Sequence, residues 1–162
     1  MNNNSDNGLM EIRRLSDFVI SFAHKHLCSE QELRDSLSYL IPHDKVNQVL
    51  TYIGVTEAID DTQTIIKVIH QQLELLLGPV HIEKTLNKRK FNTNLIHQSL
   101  EKLDVDWYQL CQQAKIKKYG DHSPGNPDEK LEMIRYLLKQ GHSIQHVLVS
   151  IDSSTVLTNG KP

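Results

Sequence analysis

Apolar residues recur at three- and four-residue spacing along almost the whole chain, without the sustained alternation that is typical of half-buried strands. This spacing places them on one face of a helix. The first such stripe consists of Leu9, Ile12, Leu15, Phe18, Val19, Phe22 and Ala23. The pattern predicts an all-α fold.

Capping signals and prolines divide the pattern into separate helices. Ser29 followed by Glu32 forms a capping box, which predicts that a second helix begins at the residue after Ser29. Pro42 interrupts that helix, and Pro79 suits the first position of a later one. Asp106 is the predicted N-cap of another helix, because its carboxylate can accept from backbone N–H groups of the first turn.

Apolar stripes also mark the predicted inward faces of the later helices. Near the middle, the leucines at 73, 75, 76 and 77 almost encircle a helix end, a pattern that is more often core than contact surface. In the last two helices the predicted inward residues are Leu131, Ile134, Leu137, Leu138, Ile144, Val147, Leu148 and Ile151.

A repeat of about fifty residues underlies the order of these helices. Leu37, Leu86 and Leu137 lie 49 and 51 residues apart, and each is followed by a turn and another apolar stripe. Because such a unit cannot cover its apolar faces alone, copies stack in sequence. We predict an elongated, curved array of three tandem three-helix repeats; a compact helical bundle with even helix lengths is the alternative. The predicted segments are a disordered tail at 1–8, repeats at 9–54, 55–103 and 104–151, and a flexible tail at 152–162.

Composition favours a cytoplasmic protein. The two cysteines, Cys28 and Cys111, are not closely spaced and are expected to be free thiols in a reducing compartment. The N-terminus has no signal-peptide pattern, and the longest dense apolar run is far below the roughly twenty residues of a membrane span.

Motifs for catalysis or metal binding are not evident in the sequence. His24 and His26 are two residues apart and point to different sides of a helix, while His142 and His146 straddle a predicted break and lack the acidic residue of an HExxH motif. We interpret the nine histidines as surface residues. The sequence also lacks a nucleophile elbow and a glycine-rich phosphate loop. These observations predict a binding protein without enzymatic activity, metal or cofactor.

Charge is distributed unevenly along the chain, although the net charge is only −2. Residues 1–78 hold 6 Lys/Arg and 11 Asp/Glu, giving −5, whereas residues 79–162 hold 12 and 9, giving +3. Basic residues at a helix end also satisfy its dipole, and for Arg135 and Lys139 phosphate contact and simple solvation both stay open. The candidate partner- or DNA-binding residues are Lys84, Lys88, Arg89, Lys90, Lys115, Lys117, Lys118, Lys130, Arg135 and Lys139.

Five short motifs, in order, resemble the RecX family, small bacterial proteins that modulate the RecA recombinase. The third repeat contains LDVDW at 103–107, KKYG at 117–120 and EKLEMIRYLLKQG at 129–141. The first repeat contains SEQELRDSL at 29–37, which is similar to the family's SxxEL helix, and the middle one contains GPVHIEKTL at 78–86, which is similar to its GPxxIxxEL helix. Together the motifs extend over nearly the whole chain.

The resemblance implies a crescent of three repeats in the groove of the RecA–DNA filament, restraining its growth and its ATPase, strand-exchange and co-protease activities. It connects the chain with DNA repair, recombination and the SOS response. The first helix of the middle repeat differs from the family pattern, which usually has an Arg-rich helix there. In this chain Asp61 is followed by TQTIIKVIHQQLELLL. The only potential cations in that segment are Lys67 and His70. Lys90 stands where the family commonly has glycine.

The sequence therefore leads to one functional hypothesis and two alternatives. The first is a non-enzymatic regulator that binds RecA filaments, most simply an inhibitor, with any direct DNA contact weak and confined to the basic residues. The alternatives are a nucleic-acid-binding helical protein that acts without RecA and a diverged helical-repeat scaffold for another protein. Neither a membrane nor a small-molecule substrate is expected.

Overall fold

A computed structural model describes residues 3–55 and 58–152, with side chains from residue 8 to 54 and from 58 to 152. Across these residues the chain forms nine α-helices and no strand, so the predicted all-α fold is confirmed. The helices are α1 (Asn3–His26), α2 (Glu30–Leu40), α3 (His43–Val55), α4 (Asp61–Glu74), α5 (Pro79–Lys88), α6 (Thr93–Lys102), α7 (Trp107–Tyr119), α8 (Pro127–Lys139) and α9 (Ile144–Asp152).

The first helix extends into the segment that the sequence predicts to be a disordered tail. Because α1 begins at Asn3, segment 1–8 is helical from its third residue onward, which corrects that prediction for residues 3–8. Residues 1, 2 and 153–162 lie outside the described part of the chain.

Helix starts follow the capping residues that the sequence indicates. The Ser29 hydroxyl accepts from the Glu32 N–H at 3.0 Å, and the Glu32 carboxylate accepts from the Ser29 N–H at 3.3 Å. The Asp106 carboxylate accepts from the Gln109 N–H at 2.9 Å. The predicted capping box and the predicted Asp106 cap are both confirmed.

Two compact units share the chain. Unit 1 contains the residues up to Val68 together with Asn87–Ser99, and unit 2 contains Ile69–Leu86 and the residues from Leu100 onward. The boundaries fall inside α4, α5 and α6, so segment 55–103, the predicted middle repeat, is divided between the two units. The three repeat boundaries and the curved shape stay predictions.

The core of unit 1 is formed by α1, α2 and α3. Its buried members are Val19, Ala23, Leu33, Leu37, Val46, Val49, Leu50 and Ile53. Leu9 and Phe22 are exposed and Phe18 is 66% exposed, so the predicted inward stripe of α1 is wrong at these positions. The helix instead buries Ser16 beside Val19, because the small hydroxyl satisfies itself by donating to the Ile12 carbonyl at 2.8 Å.

A second core lies in unit 2. Its buried members are Cys111, Ala114, Met133, Leu137, Val147 and Ile151. Four residues that the sequence predicts to face inward are exposed here, namely Leu131, Leu138, Ile144 and Leu148. Helix α8 turns the face of Met133 and Leu137 inward instead.

The leucine run after α4 is a turn and not an encircled helix end. Helix α4 ends at Glu74, and Leu76 has a left-handed backbone with φ 60°. That turn directs Leu77 into the interior, whereas Leu75 is 61% exposed. The run therefore contributes both core and surface.

Candidate functional site

Six helices are followed by a residue with positive φ, which closes the helix and redirects the chain. These residues are Leu27, Leu76, Lys90, Asp104, Gly120 and Gly141. After α4, the Leu77 N–H donates to the Gln72 carbonyl at 3.1 Å and the Leu76 N–H to the Leu73 carbonyl at 2.9 Å. This pair of bonds is the Schellman motif, which fixes the direction of the exit turn.

In unit 2 the turn after α8 docks on the turn before α5. The Gly78 N–H donates to the Gln140 carbonyl at 2.8 Å, and the Val80 N–H donates to the Gly141 carbonyl at 3.2 Å. Carbonyls at the end of one helix thereby satisfy N–H groups at the start of another, and both sets would otherwise be unpaired.

Unit 1 contains a corresponding contact between two turns, in which the hydrogen-bond donors are side chains. The Ser29 hydroxyl donates to the Arg89 carbonyl at 2.6 Å, and the Arg89 guanidinium donates to the His26 carbonyl at 2.7 Å. In the same turn the Lys90 ammonium forms an ion pair with Asp35.

The left-handed residues at these turns are separated by the same numbers of residues as the repeated leucines. Leu27 and Leu76 lie 76 − 27 = 49 residues apart, and Lys90 and Gly141 lie 141 − 90 = 51 residues apart. These are the separations of Leu37, Leu86 and Leu137. The turn-on-turn contact therefore recurs with the sequence repeat.

Several predicted partner-binding cations are engaged within the fold. Arg89 and Lys90 hold the unit 1 turn, and Lys130 donates to the Asp152 carboxylate at 2.9 Å. Lys115 is only 1% exposed, which corrects its prediction as a surface contact. Lys115 lies four residues after Cys111 and therefore on the buried face of α7. The sequence spacing indicated this burial, but the charge of the side chain led to the prediction of a surface contact.

Six predicted cations are exposed, and within the described residues none of them has an ion pair. Two lie on α5, and four lie on α7 and α8 in unit 2. They are Lys84, Lys88, Lys117, Lys118, Arg135 and Lys139.

One of these cations, Lys118, lies beside a pair of aromatic rings. The Tyr119 and Tyr136 rings meet edge to face with centroids 5.6 Å apart, and the Lys118 ammonium is 5.9 Å from the Tyr136 centroid. The Tyr119 hydroxyl donates to the Glu132 carboxylate at 3.4 Å. Partial burial and the Glu132 charge raise the pKa of Tyr119, so the hydroxyl stays protonated and can donate.

A shallow depression of about 200 Å³ adjoins these rings. We call it the α7–α8 surface, and its lining residues are Leu75, Leu76, Ala114, Lys117, Lys118 and Tyr136. The leucine pattern in the sequence predicts a helix end at Leu75 and does not indicate that this residue contributes to a surface. The following Gly78–Pro79 pair is the available signal, because it indicates a turn in which three successive leucines cannot all be covered.

His142 is buried, contrary to the prediction of surface histidines. The side chain is 2% exposed, and its Nε2–H donates to the Leu76 carbonyl at 3.0 Å, which assigns the proton to Nε2. Burial lowers the pKa of His142. The Nδ1 atoms of His142 and His146 have no hydrogen-bond partner within the described residues.

Both cysteines are free, as predicted. Burial raises the pKa of Cys28 and of Cys111, so each stays a neutral thiol and a weak nucleophile. In the described part of the chain, no three His, Cys, Asp or Glu side chains are grouped so that they could hold a metal ion. Of the described helices, none is long and apolar enough to cross a membrane.

Helices that end in left-handed residues and dock turn on turn at the sequence period define a helical-repeat protein. Comparison with known proteins narrows this class. The chain is 24% identical over 145 residues to the Regulatory protein RecX of Salmonella typhimurium, covering 83% of this chain and 87% of that protein. The RecX of Salmonella arizonae is 25% identical with the same coverage, and that of Salmonella dublin 24%. The predicted resemblance to the RecX family is therefore confirmed along most of the chain, although no family model matches it.

Proposed function

We propose that this chain is a non-enzymatic regulator that binds RecA filaments and inhibits their activities in DNA repair and recombination. The observation that carries the proposal is the similarity, over 83% of the chain, to proteins named for regulation. The ordered RecX-like motifs add support, because Gly78 and Gly141, which lie in two of them, form the turn contact of unit 2. A regulator of this kind acts in the cytoplasm.

The exposed cations of α7 and α8 are the proposed contact with the filament. Arg135 and Lys139 lie four residues apart on α8, so they share one face, and both are exposed. Neither has an ion pair within the described residues, so binding an anionic surface breaks no such contact. The first helix of the middle repeat lacks the cations of its relatives, which leaves direct DNA contact as a minor contribution.

RecA activity measured against increasing amounts of this protein tests the proposal. We expect the single-strand-dependent ATPase rate and the yield of strand exchange to fall. Unchanged rates and yields at several-fold molar excess over RecA would refute regulation through the filament.

Charge reversal locates the contact. The double variant Arg135→Glu/Lys139→Glu should weaken inhibition and reduce its dependence on salt, because salt screens ionic contacts between exposed cations and an anionic surface. The control is Lys25→Glu/Lys102→Glu, which changes the net charge equally at exposed sites on α1 and α6. Equal inhibition by both double variants would place the contact elsewhere.

Direct nucleic-acid binding without RecA is the second candidate, supported by the six exposed cations. A gel shift with bare single- and double-stranded DNA at low and moderate salt separates the two. Tight binding in the absence of RecA favours the second candidate. Binding to neither DNA nor RecA would favour a scaffold for another protein.

A further inference from the structure

We propose that the α7–α8 surface binds an acidic peptide segment through its carboxylates and one aliphatic side chain. The proposal rests on the regulatory function and deepens it, since such a segment would belong to the protein that is regulated. Four features of the surface carry it: its charge, its apolar content, the size of its depression and the neighbours of its aromatic ring.

The residues that line the surface carry positive charge, and none of them is acidic. Lys117 and Lys118 are both exposed, and neither has an ion pair within the described residues. Lys118 is held over the Tyr136 ring, so its ammonium is already positioned before any partner arrives. Two lysines that line one depression favour a partner with closely spaced carboxylates.

The apolar part of the surface is rigid and incompletely covered. Leu75 remains 61% exposed because the left-handed Leu76 turns the chain immediately after it. The hydrogen bonds from the Leu76 and Leu77 N–H groups fix that turn, at 2.9 and 3.1 Å. An exposed leucine on a fixed turn offers apolar contact at little cost in conformational entropy.

The size of the depression favours a side chain over a small-molecule ligand. Its volume of about 200 Å³ lies below the roughly 300 Å³ at which pockets for drug-sized ligands begin. Leu76 and Ala114 contribute aliphatic carbon to its lining. One leucine or isoleucine side chain of a peptide fits this combination of size and chemistry.

The Tyr136 ring already has two neighbours, with which a stacking nucleic-acid base would have to compete. Lys118 lies over Tyr136, and Tyr119 meets the same ring edge to face. Single-strand binding surfaces instead present open aromatic faces on which bases stack. The other apolar lining residues, Leu75, Leu76 and Ala114, have no π-face. A peptide is therefore the favoured partner.

Fluorescence anisotropy with a labelled probe peptide tests the proposal. The probe contains four glutamates around one leucine, the control peptide has serine in place of that leucine, and an oligothymidylate of equal charge represents nucleic acid. We expect the leucine peptide to bind more tightly than either of the others. Leu75→Ser and Lys117→Glu/Lys118→Glu should each weaken its binding about tenfold, which corresponds to about 1.4 kcal/mol.

Matched controls separate a local effect from a general one. Lys25→Glu/Lys102→Glu makes the same change in net charge and also removes cations from last helical turns, so it should bind the peptide normally. Leu75→Ser leaves the charge unchanged and alters an exposed residue, which makes misfolding an inadequate explanation for its effect. Three results would each overturn the proposal. The serine peptide could bind as tightly as the leucine peptide, the oligonucleotide could bind more tightly than the leucine peptide, or both α7–α8 variants could bind the leucine peptide as tightly as the unmodified protein does.

Failure of this inference is distinguishable from failure of the proposed function. If the protein inhibits RecA but Leu75→Ser inhibits equally and the probe does not bind, the inference is wrong while the regulatory function stands. If the probe binds as expected and RecA is unaffected, the peptide site stands and its partner is another protein.

Discussion

Gly78 and Gly141 meet backbone to backbone in unit 2. A Cβ atom on Gly78 would lie 2.3 Å from the carbonyl carbon and oxygen of Gly141, and one on Gly141 would lie 2.4 Å from the His81 backbone nitrogen. Backbone atoms cannot move aside as a flexible side chain can, so both positions require glycine. The contact that closes unit 2 thus depends on two residues without side chains.

Alanine at either glycine should destabilise the protein strongly. We expect Gly78→Ala and Gly141→Ala each to lower the free energy of unfolding by about 3 kcal/mol or more, from overpacking and, at Gly141 with φ 87°, from the left-handed backbone. Urea denaturation measures the change. The control is Gly54→Ala, where a Cβ meets nothing within 4 Å and helix propensity should instead add about 0.5–1 kcal/mol. Equal effects at all three positions would contradict the close contact.

Lys90 permits a test of backbone strain at the corresponding turn of unit 1. Its φ of 59° is unfavourable for a side chain, and the RecX family commonly has glycine there. Both Lys90→Ala and Lys90→Gly remove the ion pair with Asp35, but only glycine relieves the strain. We therefore expect Lys90→Gly to unfold at higher urea than Lys90→Ala, by about 1 kcal/mol. The reverse order would exclude a left-handed Lys90.

We expect alanine in place of Arg89 to lower the free energy of unfolding, whereas alanine in place of its neighbour Lys88 should leave it nearly unchanged. Truncating Arg89 to alanine leaves the His26 carbonyl without its charged donor, which costs about 1.5–3 kcal/mol for a hydrogen bond of this kind. Lys88→Ala changes an exposed residue and should lie within about 0.5 kcal/mol of the unmodified protein. Thermal unfolding of the two variants makes the comparison, and similar melting temperatures would assign no structural role to Arg89.

Acidification should weaken the fold through His142. Because burial lowers the pKa of this histidine, the unfolded chain binds a proton more readily than the native protein. Stability from the neutral ring is therefore complete above the ordinary histidine pKa, about 6.5, and is lost as pH falls below it. His142→Gln keeps a donor for the Leu76 carbonyl but cannot titrate, so the loss of stability between pH 7.5 and 5 should be smaller.

The exposed His43 supplies the control for this pH dependence. His43→Gln should retain the full loss of stability on acidification, measured by urea unfolding at several pH values. If His142→Gln loses as much stability as His43→Gln, the pH dependence arises from other groups.

Local signals in the sequence predicted the helix starts well. The Ser29–Glu32 capping box and the Asp106 cap depend only on residues three positions apart, so they can be recognised without the rest of the fold. The repeat spacing was equally visible and reappears in the left-handed residues.

Packing between distant segments determines which residues are buried, and the local sequence pattern does not reveal it. On α8 the stripe containing Leu131 and the stripe containing Met133 both fit helical spacing, and only the neighbouring helices determine that Met133 is buried. His142 is covered by a turn 66 residues away in sequence, which no local pattern reveals. The α7–α8 surface combines Leu75 with the lysines of α7 in the same way, so charge alone indicated only part of it.

The division of α4, α5 and α6 between two units constrains how the chain can fold during synthesis. Unit 1 includes Asn87–Ser99, and the Arg89 turn within that segment contacts Ser29 and His26. The ribosome must therefore synthesise Ile69–Leu86, which belongs to unit 2, before the last segment of unit 1 is made. Cleavage between Val68 and Asn87 would consequently separate the two segments of the chain that make up unit 1.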